Sequence, residues 1–269
     1  MNTSPKKEFG QNFLTSVPAR IKIVESGDLL QSDTVLEIGP GKGFLTKGLL
    51  EKGASVIALE KDRDLLPLLA DAFSKEVSSG QLRLTEGDVL EFDPSLYQLD
   101  TGGYKLIANI PYYITGAIIS RFLSVIAQPS LMVILIQKEV AERIIARDKK
   151  ESLLSLSVKA YGEPKIICKV SAGSFFPVPK VDSAVLQIKN ISRKNFKNRY
   201  HEDTFFRLIH AGFAHKRKMA ISEIQTTFPL HNMREVFDEL SISQKIRAED
   251  MPLSVWIKLS LYLTEHKST

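Results

Sequence analysis

One cysteine, Cys168, and one tryptophan, Trp256, occur in 269 residues. A lone thiol forms neither an internal disulfide nor a cysteine-based zinc site, so covalent or metal staples do not hold this fold together. None is needed, since a chain of this length buries roughly three quarters of its unfolded surface on folding. The longest uninterrupted apolar run covers residues 131–136, far below the roughly 18 to 20 residues that span a bilayer. No secretory apolar core is found in the opening stretch MNTSPKKEFGQNF, which predicts a protein of the reducing cytoplasm with no membrane attachment. The pattern G-x-x-x-x-G-K-[ST] is absent, which excludes a P-loop nucleotide hydrolase. All five histidines lie beyond residue 200 without metal-ligand spacing, and no metal is expected. Internal repeats and low-complexity segments are also missing.

Charge is modest in sum and uneven in distribution. Thirty-six Lys and Arg against 31 Asp and Glu leave a net charge of +5, a value compatible with simple solubility. Residues 1–189 carry 23 basic and 22 acidic side chains, whereas residues 190–269 carry 13 and 9. Within the second stretch, Arg193, Lys194, Lys197, Arg199, Arg207, Lys216, Arg217 and Lys218 are interleaved with Phe196, Tyr200, Phe205, Phe206 and Phe213. Such a mixture is what a surface tracking a phosphate backbone uses, although a solvated face has the same composition.

Short β-rich runs alternate with helical stretches over the first two thirds, the pattern of a parallel sheet covered by helices. Strands are expected at 34–38, 55–60, 82–86, 105–109 and 131–136, with helices at 44–52, 62–77, 116–126 and 138–147. Two more strands, 165–170 and 183–189, flank a loop at 174–180 and are expected to pair as an antiparallel edge. Polar residues 190–198 read as a linker. Beyond it, Phe205, Leu208, Ile209 and Gly212 share one helical face, Met233, Val236, Phe237 and Leu240 follow a cap at Asn232, and residues 253–263 form a helix opened by Pro252. The expected organisation is an α/β domain over residues 1–190 and a small all-helical domain over 191–269.

The sharpest local feature is VLEIGPGKGFLT at residues 35–46, a strand that enters a glycine turn and then a helix. Gly39, Gly41 and Gly43 let the backbone turn tightly and approach a ligand with no Cβ in the way. Glu60 ends the next expected strand 21 positions after Gly39, where a carboxylate can accept both hydrogen bonds of a ribose diol. A dinucleotide site would need glycine where Phe44 stands. The G-x-G-x-G form with its E-x-G lead resembles motif I of the class I, Rossmann-like methyltransferases that use S-adenosylmethionine. That resemblance implies that residues 37–43 pass beneath the methionine part of the cofactor, that Glu60 holds its ribose, and that Asp88, at the end of the third strand, accepts from its adenine amino group.

The fourth strand ends in Asn109, Ile110, Pro111 and Tyr112, and ligands of doubly wound sheets sit at the carboxyl ends of strands. An exocyclic amino group on adenine is a poor nucleophile because its lone pair is delocalised into the ring. The Asn109 side-chain oxygen and the Ile110 carbonyl can hold the two amino hydrogens and steer that lone pair toward an activated methyl carbon. Pro111 stiffens the turn and removes a donor, while the Tyr112 ring offers a face for the base. Positioning then supplies most of the acceleration, and no strong base is required.

KKEFGQNFL at residues 6–14, the NIPY turn, FFPVPKVDS at 175–183 and FAHKRKM at 213–219 occur in order. Together they closely resemble the ribosomal RNA adenine dimethyltransferases over nearly the whole chain, with the bacterial small-subunit type the nearest. The resemblance implies that Asn12 and Leu14 close over the cofactor, that Gly39 and Gly41 meet its methionine end, and that Asn109 contacts both cofactor and target nitrogen. It also implies that Phe175 or Phe176 stacks a flipped base opposite Tyr112. Lys6, Lys7, Lys216, Arg217 and Lys218 are then expected to contact RNA phosphates. Dimethylation of two adjacent adenines in the 3′-terminal hairpin loop of 16S rRNA by a monomer is the expected activity. Two alternatives remain at this point: an Erm-like enzyme of the large subunit, and an assembly factor that mainly binds RNA.

Overall fold

The computed structural model describes residues 4–6, 9–215 and 218–266. The chain forms two compact units, one of residues 1–141 and 162–192, the other of residues 142–161 and 193–269. Strands of the first unit are β1 (Phe13–Leu14), β2 (Thr34–Ile38), β3 (Ser55–Glu60), β4 (Leu82–Glu86), β5 (Lys105–Asn109), β6 (Leu131–Gln137), β7 (Glu163–Val170), β8 (Phe175–Phe176) and β9 (Ser183–Lys189). Seven of them build one sheet in the order β4-β3-β2-β5-β6-β9-β7. The five strands from β4 to β6 are parallel, and β9 runs antiparallel to both β6 and β7. So β9 and β7 pair as the expected antiparallel edge of the sheet, with β7 outermost and, inside it, β9. Its alternating neighbours explain why Ala184, Val185, Leu186 and Ile188 are all buried.

Strand order reverses between β2 and β5, and this is the switch point where a doubly wound sheet opens a crevice. Helices α1 (Val17–Ser26), α2 (Phe44–Glu51), α3 (Leu66–Ala72), α4 (Ser74–Ser78) and α5 (Thr115–Ser124) follow the strands, and α6 (Lys138–Ile144) runs from the first unit into the second. The single helix expected over 62–77 is two, broken at Phe73. Pro67 sets the start of α3, and Phe73 leaves helical geometry with its ring against Gly43, where a Cβ would come within 2.4 Å.

A small second sheet was not anticipated. β1 pairs antiparallel with β8, matching Phe13 to Phe176 and Leu14 to Phe175. Thr15 extends the contact through its backbone N and its hydroxyl, both donating to Ser174 O. The Ser16 side chain then caps α1. The amino-terminal segment is thus an arm held down at its far end.

In the second unit, α7 (Leu153–Lys159), α8 (Arg199–Gly212), α9 (Ala220–Thr227), α10 (Met233–Glu239) and α11 (Leu253–Glu265) share one core. The expected faces on α8 and α10 are buried, Leu240 only partly, and Trp256, Leu259 and Leu263 of α11 join the same core. Residues 142–161 depart from the expected boundary at 190, because Leu156 and Ala160 of this stretch join the helical core. Nor is 190–198 a bare linker: Phe196 packs in an aromatic group with Tyr161, Phe205 and Phe206, and Asn195 Nδ2 donates to Ala160 O. Phe205 is buried and Phe196 and Phe206 are partly so, which leaves Tyr200 as the exposed aromatic of this basic stretch. Several of its cations are also paired, Arg193 and Arg199 with Glu202 and Lys197 with Glu265.

Gly212 is where α8 meets Trp256, and a Cβ there would lie 2.4 Å from Cη2 of the indole. Trp256 is fully buried and tied by Nε1 to Met251 O at 3.1 Å, so the ring has nowhere to retreat. Gly212→Ala is therefore expected to destabilise by overpacking, about 1–3 kcal/mol, read as a lower midpoint in thermal unfolding. A midpoint equal to that of the wild type would show that the α8–α11 contact is looser than described.

Candidate active site

Four strand ends surround one cavity of about 220 Å³ at the switch point. Gly39 and Gly41 follow β2, Glu60 ends β3, Asp88 follows β4, and Asn109 to Tyr112 continue β5. The amino-terminal arm supplies the remaining wall through Phe9, Gly10, Gln11, Asn12 and Phe13. Of the residues expected at the site, Asn12, Gly39, Gly41, Glu60, Asp88, Asn109, Ile110, Pro111 and Tyr112 all line it.

Gly41 has φ +60°, and a Cβ on it would meet the Phe13 ring at 2.9 Å. The glycine turn and the arm therefore fit only because there is no side chain here. Beside Gly39 the space is open, with Asn109 O the nearest atom at 4.0 Å. A ligand can lie directly on this backbone.

Glu60 is buried, and its carboxylate accepts Gly41 N at 3.1 Å on Oε2 and Asp62 N at 2.9 Å on Oε1. Burial pushes its pKa up, and these backbone donors oppose the rise. Each oxygen keeps a further lone pair, the arrangement a vicinal diol requires. Asp88 accepts Leu90 N at 2.9 Å and pairs with Lys61 Nζ at 2.7 Å, and the Lys61 contact holds its carboxyl below the usual range. Apolar Ile38, Leu59, Val89 and Leu90 lie between these polar ends. A flat apolar middle with carboxylates at the edge fits a nucleoside, and the residues present fit the adenosyl cofactor expected from sequence.

Asn109 Nδ2 donates to Asn12 O at 3.0 Å. This orients the amide, and Oδ1 takes no partner among the described residues. The Tyr112 hydroxyl shares a 2.7 Å hydrogen bond with the buried Ser183 hydroxyl, which fixes the ring. Burial raises the Tyr112 pKa, so it stays neutral. Tyr113, 65% exposed and also on the rim, packs against Gly10.

Four expectations need correction. Phe175 is 2% exposed and belongs to the sheet core, whereas Phe176 is 60% exposed. Successive strand residues point to opposite faces, so the pairing of β1 with β8 buries one and presents the other. By the same alternation Leu14 turns into the core and Phe13 toward the cavity. Lys6 does not extend freely toward a polyanion, because its ammonium bonds Asp62 Oδ1 at 2.6 Å and Asp64 Oδ2 at 2.7 Å, which hold its pKa well above the ordinary value. Similarly, Lys218 is paired with Glu223 at 3.0 Å. Lys7, Lys216 and Arg217 lie outside the described residues.

Glu37 lies under the glycine turn, 1% exposed, with Oε2 lacking a hydrogen-bond partner among the described residues. Burial pushes its carboxyl up to about 8 from an ordinary 4.5. Between those values the unfolded chain has lost a proton that the folded protein keeps, so stability falls as pH rises through this window. Glu37→Gln removes the linkage. Its unfolding midpoint, compared with that of the wild type, should gain more at pH 8 than at pH 5; parallel pH curves for the two proteins would contradict the assignment.

Comparison with known proteins agrees with this geometry. A family model described as ribosomal RNA adenine dimethylase matches residues 2–265. A protein of Dehalococcoides mccartyi named ribosomal RNA small subunit methyltransferase A is 35% identical over 263 residues, covering 97% of this chain and 89% of its own. Its namesake from Fusobacterium nucleatum is 37% identical, covering 96% and 97%. Among solved structures, a dimethyladenosine transferase from Plasmodium falciparum superposes with a TM-score of 0.80 at 24% identity, covering 94% of this chain and 98% of its own. The 23S rRNA methyltransferase ErmE gives 0.74 at 22% identity, covering 94% and 99%, which shows the shared fold. With two units, a glycine turn, an acidic strand end and an asparagine turn all in place along a nearly complete match, this chain belongs to the ribosomal RNA adenine dimethylase family.

Proposed function

We propose that this protein dimethylates the N6 amino groups of two adjacent adenines in the 3′-terminal hairpin loop of 16S rRNA, acting as a cytoplasmic monomer on the small ribosomal subunit or its precursor. The observation that carries the reading is the Asn109 amide, which lines the same cavity as Glu60 and is tied through Nδ2 to the arm, leaving Oδ1 without a partner among the described residues. The small-subunit relatives match nearly end to end, which favours this target over the large subunit. S-adenosylmethionine, when bound, supplies a methyl group already activated by positive sulfur.

The chain's own residues do the rest. Glu60 and Asp88 hold the two polar ends of the adenosyl group, and the backbone at Gly39 and Gly41 carries its amino-acid part. Asn109 Oδ1 and the Ile110 carbonyl accept the two hydrogens of the target amine and orient its lone pair. Pro111 brings no N–H to compete for that amine. The Tyr112 ring, fixed through Ser183, lies on one face of the base, and Phe176 is the aromatic left to stack on the other. A monomethylated amine keeps one hydrogen and a lone pair, so the same site performs both transfers.

Phosphate binding falls to the helical unit, where 18 basic and 12 acidic side chains leave +6, against 18 and 19 in the first unit. That charge supports salt-sensitive contact with RNA in general and leaves selectivity to the shape of the target.

Mass spectrometry of 16S rRNA from a strain lacking the gene tests the reading. Two adjacent dimethyladenosines should be missing, restored by the wild-type protein and not by Asn109→Ala, whose turnover should fall by about 100-fold or more. Unchanged dimethyladenosine in the deletion strain would overturn it. If Asn109→Ala restores subunit maturation without methylation, the protein also acts as an assembly factor.

A further inference from the structure

Two residues beyond Glu60 stands a carboxylate with no part in the reaction above. Asp62 is 3% exposed. Its Oδ1 accepts Lys6 Nζ at 2.6 Å and its Oδ2 accepts Gln11 Nε2 at 2.9 Å. Its backbone N donates to Glu60 Oε1 at 2.9 Å. Gln11 Oε1 in turn accepts Lys6 N at 2.7 Å, which closes the group on the arm side. One residue thus joins the buried carboxylate of the cavity to the arm that forms its wall.

A buried carboxylate is unfavourable unless it is paired. Apart from Asp64 N at 3.2 Å, the side-chain partners of Asp62 come from the arm alone. If the arm lifts, both are lost, and the segment Phe9–Asn12 is left hanging from its far attachment at β1 and Asn109. If the arm stays, Phe9 to Phe13 remain over the cavity. A ligand that touches Glu60 and this segment together bears on both sides of the junction.

We propose that Asp62 is a positioning residue that couples docking of the amino-terminal arm to occupancy of the cavity, with Lys6 and Gln11 as its partners. The junction sets how long an adenosyl ligand stays bound. This rests on the reading of the cavity as an adenosyl site, and the test separates the two.

Dissociation of S-adenosylhomocysteine, the demethylated form of the cofactor, is followed by rapid mixing for wild type, Lys6→Met, Lys6→Arg, Asp62→Asn and the double variant Lys6→Met/Asp62→Asn. Lys6→Met should release the ligand roughly three- to tenfold faster with little change in the association rate, and Lys6→Arg should return most of the difference. The double variant should be close to Asp62→Asn, since both changes open one junction and the Lys6 pair with Asp64 is largely exposed and contributes little. Lys6 lies on the arm, outside both cores, so release of the arm returns Asp62 to water and the ligand-free Lys6→Met protein should stay folded with only a modestly lower melting midpoint, which keeps the test valid even if Asp62→Asn folds poorly. A wild-type dissociation rate in Lys6→Met would overturn the proposal while leaving the adenosyl reading intact. Failure of the wild-type protein to bind the ligand would overturn both.

Discussion

The hydrogen bond from Asn109 Nδ2 to Asn12 O is the contact on which the site depends. It crosses 97 residues of sequence and joins the end of β5 to an arm with little structure of its own. On the strand side it decides which atom of the amide is left to accept. On the arm side it fixes the backbone between Gly10, which packs on Tyr113, and Phe13, which packs on Gly41. A glycine turn, an arm and an asparagine turn are therefore one assembly. Loss of the arm removes one wall of the cavity and leaves Asn109 Nδ2 and the backbone at Gly41 without their partners.

Around that contact the two units divide the work by charge. The first, at net −1, places carboxylates at the ends of parallel strands, where their pKa values move in opposite directions according to surroundings. Glu37, buried and without a partner at Oε2, holds its proton. Asp88, beside Lys61, gives its proton up more readily than an ordinary aspartate. The same residue class is thus neutral where it is buried beneath the glycine turn and charged where Asp88 lines the cavity. The second unit, at net +6, packs most of its aromatics in or against an all-helical core, with Tyr200 exposed among the basic residues.

The parallel sheet was legible in sequence because its strands are short apolar runs bounded by turns, and the register of Gly39, Glu60, Asp88 and Asn109 follows from successive strand ends. Family resemblance then supplied roles that spacing alone could not. What escaped was set by partners far along the chain. Nothing local says that Phe175 rather than Phe176 is buried; the pairing with Leu14 decides it. Nothing near Lys6 shows that its charge is taken up by Asp62, 56 residues away. The stretch 142–161 reads as a continuation of the α/β alternation, and only its packing with α8 moves it to the helical unit.

Asparagine and aspartate at position 109 have nearly the same shape and both offer an acceptor, but only asparagine can donate to Asn12 O. The most direct measurement is therefore methyl incorporation by Asn109→Asp into small subunits purified from a strain lacking the gene. If the donated hydrogen bond organises the site, transfer falls by about 100-fold or more, because a carboxylate repels the Asn12 carbonyl and the arm no longer seats. Transfer at the wild-type rate would contradict the account and leave Asn109 as an acceptor alone.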